Sequence, residues 1–450
     1  MKKSFLVLVI LSFSLISLFA NGLSLNSIGP KALGMGGAYI GLADDPTAIY
    51  WNPAGLAGQE TGMMLFGSDI VPFATYNYDA FNVSAETKTN HYISPNFFFN
   101  YNLGDLALGF GAYVPAGLGA EWDGDDLTAF GGPPQIDLMG DGSIIVDNPF
   151  AGKSYDWMSK IGVFNFSPAV AYKVSDILSV GANLNIYYGM MELKRAEDMV
   201  NILAAFGAPA DGMVDTQTAF DITGLGYGGS LGLMFTLSEK LNVGLSYRSP
   251  VNVEFEGTAD IHMELDMDGD GIAETSLMDR DARLDIEWPT WIGFGGAYKA
   301  CEKLNLTFDF QYTGWGALHE LVAEIDDMPD MVNGGMATQE MPMHLHWADA
   351  VQLRFGAEYM MNDNFAFRCG YYNDPAPAPD ATVNILFPSS ENHVLTGGLG
   401  FVKGSIKADF GIEYLMGYER DIAPDPAGTN MPGVHQMDIM AFSFGLGYLF

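Results

Sequence analysis

"KLNLTFDFQYTGW" occupies residues 303–315. Leu304, Leu306, Phe308, Phe310 and Tyr312 fall on one side of an extended chain, and Lys303, Asn305, Thr307, Asp309 and Gln311 fall on the other. That period of two is the signature of a β-strand with two unlike faces. The run outlasts the roughly five or six residues of an ordinary soluble strand and has the length that crosses a bilayer at a tilt. Its polar side is as much amide and hydroxyl as charge, which suits a filled lumen better than open water.

The pattern recurs along the chain, as in "LSVGANLNIYYGM" (178–190) and "SIKADFGIEYLMGY" (405–418). Strand centres fall near Phe66, Phe98, Leu108, Ala169, Leu184, Leu231, Leu245, Gly293, Phe308, Phe355, Phe367, Gly397, Ile412 and Phe444. That makes about fourteen, an even number of the kind bacterial single-chain barrels use. Tight turns such as "LGD", "VSD", "LSEK", "ACEK", "MNDN" and "VKGS" alternate with long connections over about 71–91, 115–162, 194–217, 256–281, 314–346, 373–391 and 419–436. Short turns on one side and long loops on the other are the outer-membrane arrangement. The last strand, "MAFSFGLGYLF" (440–450), ends on an aromatic residue. The expected fold is all-β: a transmembrane antiparallel β-barrel of about fourteen strands spanning 61–450, multi-pass in the bacterial outer membrane.

Composition supports this. Lys2 and Lys3 precede an apolar run from Phe5 to Phe19 that is too short to span a bilayer, so residues 1–20 read as a signal peptide. Without it, 18 basic side chains face 55 acidic ones, a formal charge of −37, which excludes nucleic acid as a partner. Yet 48% of residues are hydrophobic and 13% aromatic. Acid and apolar surface must therefore be segregated, and no apolar run after the signal is long enough for a membrane helix. Cys301 and Cys369 are too few for a disulfide framework. No lipid anchor is expected, because no cysteine follows the signal.

One stretch is not a strand. "GMGGAYIGLADDPTAIYWNPAGLAG" (34–58) is rich in small residues and turns, and it carries Asp44, Asp45, Trp51, Asn52, Pro53 and Ala54 together. With residues 21–60 placed as a compact plug, Gly34, Gly36, Gly37 and Ala38 allow close packing inside a barrel, and Pro53 fixes the turn after Asn52. Asp44 and Asp45 are expected partners for lumenal arginines such as Arg354 and Arg368. The lumen-facing charges form the set Arg248, Asp309, Arg354, Glu358, Arg368 and Glu413. They must be paired or hydrated, and they read as a salt-bridge network around a plug or, for Arg354 and Arg368, as carboxylate anchors for a ligand.

Other stretches carry less. Asp266, Asp268 and Asp270 have the spacing of a calcium loop, but Leu277 stands where the bidentate Glu belongs, leaving Glu274 as a substitute. A solvated acidic loop is the plainer account, and no other cofactor is expected. His344 and His346, beside Trp347, make no metal set. HExxH does not occur, and the GxSxG match Gly228-Gly229-Ser230-Leu231-Gly232 falls inside an expected barrel strand, without the strand-to-helix turn a nucleophile elbow needs, so no enzyme is expected. Met199 and Phe206 in loop three, with Met328, Met331, Met336, Met341 and Met343 in loop five, offer apolar surface on which a hydrophobic molecule could land.

Taken together, "ALGMGGAYIGLADDPTAIYWNPAGLA" (32–57), "YVPAGLGAEW" (113–122), "SPAVAYKVSDILSVG" (167–181), "VGLSYRSPV" (243–251) and "FRCGYYNDPAPAPD" (367–380) resemble the FadL-type outer-membrane long-chain fatty acid transporter family, which includes aromatic-hydrocarbon importers. Asn52-Pro53-Ala54 matches the family's Asn-Pro-Ala element. The resemblance implies a monomeric fourteen-stranded barrel plugged by an N-terminal hatch. Transport is passive: ligand adsorbs near loops three and four, moves to a lumenal pocket, and leaves sideways into outer-membrane lipid through a gap made by a kink in the third strand. Here that strand is "DLALGFGAYVPAG" (105–117), with Gly109 and Gly111 toward the lumen and Pro115 expected to end the ladder. Loop four is acidic where an apolar groove is implied. A diffusion porin has no use for residues 22–58, whereas a structural or secretion-associated barrel that binds partner proteins is compatible with long acidic loops.

Overall fold

The computed structural model describes residues 22–131, 135–137, 145–147, 154–196, 216–263, 277–329, 335–426 and 430–450. Met199, Phe206, Asp266, Asp268, Asp270 and Glu274 lie outside the described residues. Fourteen antiparallel barrel strands follow in chain order: β1 (Gly62–Tyr78), β2 (Tyr92–Leu103), β3 (Leu106–Trp122), β4 (Trp157–Lys173), β5 (Leu178–Ala196) and β6 (Thr216–Ser238) come first. β7 (Leu241–Arg248, continued by Val251–Met263) and β8 (Leu277–Trp288, continued by Trp291–Cys301) are each broken once. β9 (Leu304–Thr313), β10 (Ala350–Met360), β11 (Phe365–Asp374), β12 (Asn392–Lys403), β13 (Ile406–Gly417) and β14 (Gly433–Leu449) complete the wall. β14 pairs with β1 from Gly62↔Leu449 to Asn77↔Val434, which closes the barrel. Each expected strand centre lies in its strand.

The alternation in 303–315 has the cause inferred from it. Leu306, Phe308 and Phe310 are exposed on the outer, lipid-facing side, whereas Thr307, Asp309 and Gln311 are at most 5% exposed inside. Between β9 and β10 the wall rises into a hairpin, Glu320–Pro329 against Met336–His344. Its base joins an apolar cluster at the long-loop end that includes Phe255, Trp288, Trp315, Trp347 and Phe387.

Residues 22–61 run through the lumen as two short helices, α1 (Pro30–Gly34) and α2 (Ala48–Trp51), and a 3-10 turn (Pro53–Leu56). Pro30 at the start of α1 and Pro53 at the start of the 3-10 turn need no amide partner there. Tyr39, Ile40, Ile49, Trp51 and Leu56 are buried in a core shared with Phe66, Phe98 and Tyr113 of the wall. The hatch meets the wall backbone to backbone. A Cβ on Gly232 would stand 2.2 Å from Asn52 Oδ1, and one on Gly244 would stand 2.3 Å from the Ile40 carbonyl oxygen. Glycine at these wall positions is what admits the hatch.

Gly232→Val should therefore loosen the hatch while leaving the lipid-facing wall able to form. The expected result is higher ion conductance in planar bilayers from protein that keeps the heat-modifiable gel mobility of a folded barrel. Wild-type conductance from folded protein would show that the contact does not seat the hatch.

Candidate functional site

Three wall side chains hold the hatch from different strands. Asp309 of β9 accepts from the backbone N–H groups of Tyr39 (2.8 Å) and Ile40 (3.0 Å). Arg354 of β10 donates to the carbonyls of Asn26 (2.9 Å) and Gly36 (3.1 Å) and to Gln352, and lies 4.1 Å from the Tyr372 ring centroid. Arg248 of β7 donates to the Tyr50 carbonyl at 2.9 Å and stacks over the rings of Tyr50 and Trp291. From the hatch side, Asn52 donates to the carbonyls of Ile40 (3.1 Å) and Leu233 on β6 (3.0 Å) and accepts from Ala54 N–H. Asn52 thus ties the Asn-Pro-Ala turn both to the hatch and to the wall.

At the short-turn end, ion pairs take over. Arg368 of β11 binds Glu358 at 2.7 Å and Asp409 at 2.6 Å, and Lys31 of α1 binds Asp44 at 2.8 Å and Glu358 at 3.5 Å. These groups line a cavity of about 150 Å³ between hatch and wall. Burial works against the Lys31 ammonium, but Asp44 and Glu358 outweigh it and hold its pKa above the ordinary lysine value. Asp45 accepts from Tyr39 and Thr47, and burial, reinforced by Asp44, raises its carboxyl above the usual range. The expected pairing of Asp44 and Asp45 with Arg354 and Arg368 is thus not what forms. Lys31, on α1, pairs with Asp44, and the arginines are satisfied by hatch carbonyls and wall carboxylates. Lys31 and Asp409 were not anticipated as site residues; the signals available were that Lys31 is the one basic residue of 22–61 and that Asp409 alternates with lipid-facing Phe410.

β3 is the irregular strand. Its ladder with β2 stops at Phe97↔Ala112, although β2 continues to Tyr92 beside β1 and β3 continues to Trp122 beside β4. Pro115 therefore does not end β3. It sits in a bulge between Tyr113 and Ala116, where the register with β4 shifts, because it has no N–H to offer a ladder. Gly109 and Gly111 lie below the bulge; a Cβ on Gly109 would touch Leu56 and Ile49, and one on Gly111 would touch Phe98 and Tyr113. The free edge is partly filled by other groups. Val114 N–H donates to Asn96 Oδ1 at 3.0 Å, Leu25 N–H to the Pro115 carbonyl at 2.9 Å, and Gly117 N–H to the Leu23 carbonyl at 2.9 Å.

A cavity of about 510 Å³ lies at this break. Its lining includes Asn26, Asn392 and Glu413 on the lumen side, and also Ile93 and Met190, which are 73% and 40% exposed on the outer face. Arg354 and Arg368 do not line it. Among the described residues no group of His, Cys, Asp and Glu is arranged to hold a metal ion. His344 instead pairs with Glu320 at 2.7 Å.

A closed barrel of amphipathic strands, filled by an N-terminal hatch and broken in one ladder beside an apolar cavity, defines a plugged outer-membrane barrel. Residues 145–450 match the family described as "Outer membrane protein transport protein (OMPP1/FadL/TodX)", and the chain belongs to that family. It is 23% identical over 291 residues to a long-chain fatty acid transport protein of Salmonella typhi, a match that covers 62% of this chain and 65% of the relative. The chain thus spans a little under two thirds of that relative's length. The structure resembles that of a Pseudomonas aeruginosa FadL homologue with TM-score 0.74, 17% identity and coverage of 95% and 100% of the two chains. It resembles the Pseudomonas putida toluene transporter TodX with TM-score 0.71, 18% identity and coverage of 95% and 99%.

Arg368 and Asp44 should differ sharply in energetic weight. Arg368→Met leaves two buried carboxylates short of their partner, an expected loss of about 3–5 kcal/mol. Asp44→Asn acts on a side chain that is 43% exposed, so about 1 kcal/mol or less is expected. Guanidinium unfolding in detergent micelles measures both; equal, small effects would refute the assignment of Arg368 as the centre of the network.

Proposed function

We propose that this protein imports hydrophobic small molecules passively across the outer membrane, binding them in the lumenal cavity and releasing them sideways between β2 and β3 into outer-membrane lipid. The observation that carries the reading is the cavity at the broken ladder, whose lining includes both buried Glu413 and lipid-facing Ile93. The activities for which family relatives are named, fatty acid transport and toluene transport, fit such a route. Lipopolysaccharide resists apolar solutes and a water-filled pore does not attract them, so a protein path that opens into the bilayer supplies what neither provides.

In this reading Asp44, Asp45, Asn52, Pro53 and Ala54 belong to the gate, and Gly109, Gly111 and Pro115 to the strand that opens. Arg354 and Arg368 hold the hatch and network instead of contacting ligand directly. Met199 and Phe206 remain proposed landing residues. The barrel is proposed to act as a monomer, since one chain closes the wall by itself. The hatch disfavours a diffusion porin, because it shares a buried apolar core with the wall.

Deleting Pro115 removes the extra residue of the bulge and should let β3 pair with β2 beyond Ala112. In a porin-poor host, uptake of labelled long-chain fatty acid or alkylbenzene is expected to fall at least about tenfold, with normal barrel assembly. Unchanged uptake would eliminate the lateral exit, and no uptake of any apolar compound by the correctly inserted wild-type protein would eliminate import itself.

A further inference from the structure

We propose that the lumenal cavity selects hydrophobic molecules with a non-anionic, hydrogen-bond-donating head, a hydroxyl in the simplest case, and discriminates against the carboxylate of the same skeleton. This rests on the reading of the 510 Å³ cavity as the ligand site.

The cavity has two unlike walls. One is apolar and includes Leu25, Val114, Ile161, Met191 and Ile439. The other is built from the end of β11, the segment before β12, and β13, and carries Asp374, Ser389, Ser390, Asn392 and Glu413, each less than 9% exposed. Two of its members are carboxylates. Asp374 accepts from Asn26 at 3.1 Å and from Gln352 at 2.5 Å, while Glu413 interacts with the Tyr372 hydroxyl and accepts, at 3.4 Å, from Ser27.

Three buried side chains of the lining hold a polar atom with no hydrogen-bond partner: Trp347 Nε1, Ser389 Oγ and Asn392 Oδ1. Such atoms are costly to leave unmatched, and rotation of the Ser389 and Asn392 side chains toward the cavity would let a ligand head group recover that cost. A hydroxyl has the right complement. It can donate to a carboxylate or to Asn392 Oδ1 and accept from Trp347 or Ser389.

A carboxylate anion has no such partners. Arg354 already donates to Asn26, Gly36 and Gln352, and Arg368 is committed to Glu358 and Asp409. Among the described lining residues the basic groups are Lys160, paired with Glu192 at 3.0 Å, and His91, paired with Asp69 at 2.8 Å. Both stand on the exposed, outer side of the cavity, away from the polar wall. An anionic head placed there would be desolvated beside the Asp374 carboxylate.

The test uses the purified full-length protein in detergent at pH 8, with ethylbenzene, 2-phenylethanol and phenylacetate as soluble probes of one skeleton. Binding is followed by tryptophan fluorescence and by equilibrium dialysis. The expected result is affinity for phenylethanol at least about tenfold above that for phenylacetate, roughly the worth of one or two hydrogen bonds. Ser389→Ala/Asn392→Leu should lower the ratio of phenylethanol to ethylbenzene affinity, and Glu413→Gln, which keeps the shape, should raise phenylacetate affinity several-fold. Phenylacetate binding as tightly as phenylethanol, or variants that leave both comparisons unmoved, would overturn the proposed selectivity while leaving the import reading standing. Failure of all three probes to bind would instead remove the cavity as the ligand site.

Discussion

In a bilayer every backbone N–H and C=O must be satisfied within the protein, because lipid offers no partner. That constraint closes the sheet from β1 to β14, and it makes the early end of the β2–β3 ladder informative. Where β3 leaves β2, the exposed groups are met by the Asn96 side chain and by Leu23 and Leu25 of the hatch. The plug and the break in the wall are therefore one hydrogen-bonded system. A shift of the N-terminal segment strips β3 of partners, and any rearrangement of β3 releases the segment.

The rest of the hatch is held quite differently. Its backbone rests on wall glycines, and directed polar contacts come from Asp309, Arg354 and Arg248 on three strands. Lys31 adds an ionic tie at the short-turn end. Asn183, Gln311 and Thr396 add bonds to the carbonyls of Ile49, Gly37 and Gly34, so the central hatch is seated as a unit, while residues 23–28 bridge between it and β3. A ligand that binds differently in two arrangements of residues 23–28 would shift their balance without any energy source. Coupling of this kind needs only the short segment to move.

What could be read from the sequence was what repeats. Fourteen strands were legible because lipid imposes a period of two on each, and the alternation of Phe308, Asp309 and Phe310 carries over directly into burial. The glycine-rich stretch at 34–58 was legible as something other than a strand. Partner choice was not. Asp44 takes Lys31 over Arg354 because the hatch turn between them brings residues 31 and 44 together, a tertiary fact with no local pattern. The position of the ladder break was half legible. Pro115 marks the bulge, but the pairing with β2 already ends at Ala112, since it depends on where β2 is drawn toward β1.

Charge then connects the outside to the inside. The chain carries a formal net charge of −35, with 55 acidic side chains against 20 basic ones. Such a field lowers the local concentration of anions at the entry face, though only within about 8–10 Å at physiological salt. Past that range the inner wall acts instead, with Asp374 and Glu413 buried and the arginines already engaged. A neutral molecule is indifferent to that field and finds hydrogen-bond partners at the wall. An anion is disfavoured twice, by the net charge of the chain and by the inner wall.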